Sequence, residues 1–282
     1  MKLAVITDAT AVLSDDLKAN DNLFILDIPI TIDGTSYIEG KNLSLDTFYA
    51  KMKASAELPK TSQPNLADLD DILINLSSNG YTHVIGLFLS SGISGFWQNI
   101  QFLIKDYPEL KIAIPDSKIT SAPLGSMVEN VLTWSESGLS FETIQSNLEK
   151  QIAGTSAFIM VDDLNHLVKG GRLSNGSALI GNLLSIKPIL HFNDDGVIVV
   201  YEKVRTEKRA IKRLLTVLEE RTDDGDYDIS IIHSRAQKKA EELYQLLTNE
   251  GYGDSLSIVP FDSIIATHLG EGAVAFAITP IV

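Results

Sequence analysis

Short apolar runs alternate with segments of helical periodicity through the first half of the chain. The apolar runs at residues 3–7, 81–89 and 111–114 predict buried strands. Apolar residues recur at helical spacing in segments that begin near Ser44, Asn65, Phe96, Ser121 and Phe141. This alternation of strands and helices predicts a mostly parallel sheet with helical cover.

Two further segments of the first half are extended rather than helical. Residues 23–32 are strand-like throughout, and Asp33-Gly34 predicts a hairpin turn into residues 35–38. Thr61-Ser62-Gln63-Pro64 cannot be helical before its proline, so we expect an extended loop that presents its side chains.

The second half has a different pattern, with antiparallel pairing among its strands. Residues 193–196 read Asn-Asp-Asp-Gly and predict a hairpin between strands at 188–192 and 197–204. Further strands are predicted at 155–161, 228–233, 255–261 and 273–279, and helices at 207–221 and 236–250. The sequence therefore predicts a two-domain α/β protein with domains 1–154 and 155–282, whose second sheet is mixed and whose cleft is the default ligand site.

The turn after the strand at 81–89 is the strongest candidate for anion binding. It reads Ser90-Ser91-Gly92-Ile93-Ser94-Gly95 and leads into the helix at Phe96. Such a turn points free backbone N–H groups and serine hydroxyls at whatever lies beyond the strand's carboxyl end. Helix capping by the serines is the simpler interpretation, and the turn alone does not decide between the two.

Two aspartates follow neighbouring predicted strands. Asp8 ends the first strand, and Asp116 follows the strand at 111–114. Because the carboxyl ends of parallel strands meet at one edge of a sheet, we expect Asp8, Ser94 and Asp116 to share one rim.

Composition narrows the possible functions. The 282 residues contain 23 Lys and Arg against 37 Asp and Glu, for a net charge of −14, and no Cys. An acidic chain is a poor candidate for nucleic acid binding, and the lack of cysteine excludes disulfides and thiolate metal sites. The first apolar run is too short for a signal peptide and no run is long enough to cross a bilayer, so we expect a cytoplasmic protein.

Three further patterns remain ambiguous. Gly270-Glu271-Gly272 resembles a dinucleotide loop, but too few residues follow it for the crossover helix of that motif. His268, on a small-residue turn before these glycines, is either a donor to an anionic group or an ordinary histidine. Basic residues around Arg172 and between Lys203 and Arg213 are a solvated surface, a docking patch for an acidic partner or a clamp on a phosphate during its transfer.

Several motifs together resemble those of the DegV family, across the whole chain. They are Asp8, Thr61-Ser62-Gln63-Pro64, Ser90-Ser91-Gly92-Ile93-Ser94-Gly95, Asp116-Ser117, Gly170-Gly171-Arg172-Leu173-Ser174, Ile186-Lys187-Pro188-Ile189-Leu190 and His268-Leu269-Gly270-Glu271-Gly272. The resemblance is to the fatty-acid-binding subunit (FakB) of bacterial fatty acid kinase.

The resemblance implies a non-catalytic carrier with a long-chain fatty acid in a tunnel between the domains. It implies that Thr61, Ser94 and His268 hold the carboxylate, with Ser62 and Gly95 beside them in the same motifs. It implies that a separate ATP-dependent kinase, contacted through Arg172 and Arg205, phosphorylates this carboxyl group. The carrier would exchange lipid with the membrane, without a cofactor or metal. Holding the carboxylate with neutral or switchable donors would avoid burying a permanent cation.

The sequence departs from the family pattern at four positions. Ala9 and Asn65 stand where serine is common, and Phe96 and Trp97 replace different or smaller residues, which suggests an altered tunnel shape. Two alternatives to the kinase-linked carrier stay open. One is a phosphotransferase that acts on its own through His268 or an aspartate, and the other is a carrier of a different apolar acid.

Overall fold

The apolar runs of the first half form a four-stranded parallel sheet in the computed structural model, which describes residues 1–174, 187–223 and 225–282. Its strands are β1 (Leu3–Asp8), β2 (Leu23–Leu26), β6 (His83–Leu87) and β7 (Lys111–Ala113). They lie in the order β2-β1-β6-β7. All six residues of β1 are buried, as expected for a strand covered on both faces. Ile186, in one of the motifs above, lies outside the described residues.

The predicted hairpin at Asp33-Gly34 is part of a small antiparallel sheet, and the third strand of this sheet, which was not predicted, matters for the site. The sheet contains β3 (Ile30–Ile32), β4 (Thr35–Tyr37) and β5 (Lys60–Thr61), in the order β4-β3-β5. The predicted continuous strand at 23–32 is interrupted at Pro29, which has no N–H to donate to a ladder. Thr61 therefore lies on a strand, paired with Ile30, and Ser62 N donates to Pro29 O at 2.9 Å.

The second half forms a six-stranded mixed sheet, as predicted. Its strands are β8 (Ser156–Met160), β9 (Lys187–Phe192), β10 (Ile198–Val204), β11 (Tyr227–His233), β12 (Leu256–Pro260) and β13 (Val274–Pro280). They lie in the order β10-β9-β8-β13-β11-β12. Only the β11–β12 pair is parallel among these described strands.

The described helices include all seven that were predicted, together with three that were not. They are α1 (Asp15–Lys18), α2 (Leu45–Ala54), α3 (Leu66–Ser78), α4 (Phe96–Ile100), α5 (Ser121–Glu136), α6 (Phe141–Gly154), α7 (Asn165–Lys169), α8 (Glu207–Arg221), α9 (Gln237–Leu247) and α10 (Ser263–Leu269). Short turns of other helix types cover Leu103–Asp106, Thr248–Tyr252 and Gly253–Ser255. Helices α1, α7 and α10 are the additions. No helix in the described part of the chain combines the length and apolar character needed to cross a membrane.

The helices and sheets stack in layers. Helices α3 and α4 pack on one face of the parallel sheet, and α5 and α6 lie between the two sheets. Helices α8 and α9 cover the far face of the mixed sheet. The predicted α/β class is thus confirmed. The predicted boundary at residue 154 falls between α6 and β8 and stays a prediction.

Candidate functional site

Two carboxylates at strand ends fix the turn between β6 and α4. Asp8 is fully buried and accepts hydrogen bonds from Leu89 N at 2.7 Å and from Thr10. Asp116 accepts from both Ser91 N, at 3.0 Å, and Ser91 Oγ. Burial raises the pKa of Asp8, although its hydrogen bonds oppose this effect. Both aspartates therefore lie at the predicted edge of the parallel sheet, where they hold the turn after β6 in position.

The second domain also contacts the turn between β6 and α4. Ser90 Oγ, fully buried, donates to Gly196 O at 2.7 Å. Gly92 also approaches this backbone, since a Cβ at Gly92 would lie 2.3 Å from Gly196 O. Ser90 and Ser91 thus serve the fold, while Ser94 lines a cavity between the domains.

This apolar cavity has a volume of about 280 Å³. One face of the mixed sheet contributes Ile159, Ile198, Ile232 and Ala275, and α10 contributes Ile264 and Ile265. Polar side chains also line it, and they are Thr61, Ser62, Gln63, Ser94, Thr120, Ser121, Arg172 and His268. A mostly apolar pocket with a few polar groups is the usual form of a small-molecule site.

Among the polar residues of the cavity, Thr61 and His268 are hydrogen-bonded to each other. Thr61 Oγ1 and His268 Nε2 are 2.8 Å apart. Strand β5 positions Thr61, and His268 lies in the last turn of α10, where the sequence predicted only a small-residue turn. Asp262 is the N-cap of helix α10 and its side chain accepts from Ile264 N and Ile265 N, so the histidine is held on a capped helix.

The second ring nitrogen of His268 has a different environment. Nδ1 is buried and has no hydrogen-bond partner among the described residues. It lies against Gly170, where a Cβ would approach Nδ1 to 2.6 Å. Burial, with the positive charges of Arg172 and His166, lowers the pKa of His268 to about 4. The imidazole is therefore neutral at neutral pH.

Arg172 lies closer to this pair than the sequence suggested. Its half-buried guanidinium donates from Nε to Ile93 O at 3.1 Å and from Nη1 to Gly170 O at 2.6 Å. A permanent cation therefore lies in the lining of the cavity beside the three donors, while the way in which a carboxylate is held stays a prediction. Because Arg172 belongs to the second domain and Ile93 to the turn of the first, the arginine also orients Ser94's turn.

A wider outer cavity, of about 630 Å³, adjoins the polar end of the apolar cavity. Both are lined by Thr61, Arg172 and His268. His166 and Lys169 line the outer cavity as well, and His166 Nδ1 donates to Thr267 O at 3.2 Å. His166 lies four residues before Gly170, which contacts His268, and this spacing is the signal in the sequence that could have identified it.

Other candidate residues lie farther from the pair. Gly95 caps α4 and packs against Gln63, outside the described lining of both cavities. Arg205 is exposed just before α8 and likewise lines neither. Phe96 packs on Phe88, and Trp97 Nε1 donates to Ile114 O at 2.9 Å.

Phe96 and Trp97, the two aromatic residues at which the sequence departs from the family pattern, therefore pack against the first domain's sheet. Neither belongs to the described lining of the apolar cavity. Across residues 1–174, 187–223 and 225–282, no three His, Asp or Glu side chains converge as metal ligands would.

Comparisons with known proteins agree with this architecture. A family model described as "Uncharacterised protein, DegV family" matches residues 2–280. A DegV domain-containing protein from Streptococcus pyogenes serotype M3 is 65% identical over 280 residues, 99% of each chain.

Two solved structures are similar over 100% of both chains. One is a fatty acid binding DegV family protein from Streptococcus agalactiae, with 63% identity and a TM-score of 0.98. The other is DegV, a fatty acid binding protein from Bacillus subtilis, with 32% identity and a TM-score of 0.89. The chain, in which Thr61 and His268 are paired beside the apolar cavity, therefore belongs to the DegV family.

Proposed function

We propose that the protein binds a long-chain fatty acid, with its hydrocarbon chain in the apolar cavity and its carboxylate at Thr61, Ser94 and His268. The solved relatives described as fatty acid binding support this ligand class. Each buried methylene contributes roughly 0.8 kcal/mol before ordering costs, so the chain supplies most of the affinity.

The observation that carries the proposal is the Thr61–His268 pair at the polar end of an apolar cavity. A neutral imidazole offers one N–H donor and each hydroxyl offers one O–H donor, which suits a carboxylate acceptor. Arg172 adds a positive charge beside them, so the bound carboxylate is not left as an unpaired buried charge.

The outer cavity supports a second step of the proposal. Because it meets the apolar cavity at Thr61, Arg172 and His268, a bound carboxyl group there is reachable from outside the domain cleft. We propose that a separate ATP-dependent fatty acid kinase phosphorylates it, with Arg172 and Arg205 contributing to kinase contact. The carrier itself is non-catalytic and uses no cofactor, acts in the cytoplasm and exchanges fatty acid and acyl phosphate with the membrane.

The test of ligand class is lipid extraction from the purified, denatured protein, followed by mass spectrometry. We expect a stoichiometric fatty acid from the wild type and less from Thr61→Val. If no fatty acid is recovered and none is taken up when added, another apolar acid becomes the better proposal. Incubation with ATP, with and without the kinase, tests the carrier role, since phosphate transfer by the protein alone would contradict it.

A further inference from the structure

The apolar cavity has a second neighbour besides the outer cavity. A lateral cleft of about 510 Å³ lies between the loop after β7 and the ends of α6, β8 and β9. It shares two lining residues with the apolar cavity, Ile119 and Phe192. None of the described residues lines both the lateral cleft and the outer cavity. The apolar cavity therefore has a polar wall where it meets the outer cavity. Where it meets the lateral cleft it has an apolar wall, formed by Ile119 and Phe192.

The two residues of the apolar wall differ in how firmly they are held. Ile119 is buried, and its carbonyl accepts a hydrogen bond from Ser90 N at 2.8 Å. Phe192 is the last residue of β9 and its side chain is partly exposed. A ring at a cavity wall with one side toward solvent can turn about its side-chain bonds without breaking a backbone hydrogen bond. Phe192 is thus the movable part of this wall.

The chemistry of the lateral cleft suits a hydrocarbon near this wall and water farther out. Helix α6 contributes Ile152 and Ala153 to it, while Asp116, Glu149 and Arg221 bring charges. The cleft is a weak candidate for a separate polar ligand, since its charges are of both signs. Its continuity with the apolar cavity points to one occupant, the end of a chain that enters from the polar side.

We propose that Phe192, closing against Ile119, sets the longest acyl chain that the cavity accepts, and that longer chains pass this ring into the lateral cleft. This inference rests on the proposed fatty acid ligand and adds a residue that determines chain-length specificity. The head group stays at Thr61 and His268, and the methyl end meets the Phe192 ring.

The experiment compares defatted wild type, Phe192→Leu and Phe261→Leu in binding straight-chain saturated fatty acids of increasing length, by displacement of a fluorescent fatty acid. Phe261 is a matched control because it lines the apolar cavity but not the described lateral cleft. Affinity should rise by about fourfold for each added methylene while the chain still finds apolar contact. In the wild type this rise should stop at a definite length.

In Phe192→Leu the rise should continue to longer chains than in Phe261→Leu. Adding Ala153→Phe, which fills the lateral cleft, to Phe192→Leu should restore the shorter limit. Equal limits in the two leucine variants, or no effect of Ala153→Phe, would overturn the role of Phe192 and leave fatty acid binding intact. If the wild type binds no member of the series, the proposed function fails and this inference fails with it.

Discussion

Thr61 Oγ1 and His268 Nε2 lie 2.8 Å apart, although 207 residues separate them in the chain. The contact joins a strand of the small sheet in the first domain to a helix of the second. The carboxylate site we propose therefore exists only when the two domains are assembled.

Replacing Thr61 by valine should lower fatty acid affinity by roughly 10- to 100-fold. Valine keeps the shape but removes a hydroxyl that serves a charged acceptor, a hydrogen bond of about 1.5–3 kcal/mol. Thr61→Ser keeps the hydroxyl and is the control, which should bind nearly as the wild type does. Titration with a fluorescent fatty acid measures both. Equal affinities for the valine and serine variants would exclude Thr61 from the carboxylate site.

The neutral state of His268 should appear as a pH dependence of stability. Its pKa is about 4 in the fold against 6.5 as the ordinary value, so the unfolded chain binds more protons between these pH values. The free energy of unfolding should therefore fall as the pH drops from about 6.5 to about 4, by up to roughly 3 kcal/mol from this group.

His268→Gln isolates that contribution, because glutamine does not titrate and the shifts of other groups cancel in the difference. Urea denaturation of the ligand-free wild type and variant at several pH values measures it. We expect the stability difference between them to change across this pH window. A constant difference would mean that His268 titrates alike in both states.

Arg172 and Arg205 should differ in their effects. Arg172→Ala removes the guanidinium bonds to Ile93 O and Gly170 O, so fatty acid affinity should fall as the turn of Ser94 loosens. Arg205→Ala changes an exposed side chain outside both cavities, so it should leave fatty acid affinity unchanged and lower phosphorylation by the kinase. Ligand titration and kinase-dependent ATP consumption separate these effects. Unchanged ATP consumption with Arg205→Ala would remove Arg205 from the kinase contact.

The contact between Ser90 and Gly196 should be important for stability. Ser90→Ala leaves Gly196 O buried without this donor, which costs about 1–3 kcal/mol of unfolding free energy. Gly92→Ala should cost more, because its Cβ would meet Gly196 O at 2.3 Å. Ser36→Ala changes an exposed serine and is the control, expected within about 0.5 kcal/mol of the wild type. Thermal and urea denaturation measure the stability of the three variants and the wild type. A Ser90→Ala protein as stable as the control would contradict a stabilising role for the Ser90–Gly196 hydrogen bond.

Most strands, most helices and the shared rim of Asp8 and Asp116 follow from local patterns in the sequence. Apolar runs of the parallel sheet are strong signals, as are helix N-caps such as Ser44, Asn65 and Thr206, whose side chains accept hydrogen bonds from the first turn of their helices. These features depend on neighbours within a few residues.

The features that were missed depend on distant parts of the chain. Strand β5 has two residues and is a strand only because β3 pairs with it, and α10 has seven residues whose apolar run does not distinguish a helix from a strand. The hydrogen bond from Arg172 to Ile93 O joins residues 79 positions apart, and nothing local in the sequence indicates it. The motifs named Thr61, Ser94 and His268 as candidates, but the contact between Thr61 and His268 could be found only in the tertiary fold.

The Ser90–Gly196 contact also limits how this chain can evolve. The hairpin after β9 and the turn after β6 meet through the short Ser90 side chain and the bare backbone of Gly92, which leaves little room to absorb a change in length. An insertion in one segment would therefore need a compensating change in the other. Exchange of one domain for that of a distant relative should fail at this seam unless both segments are exchanged together.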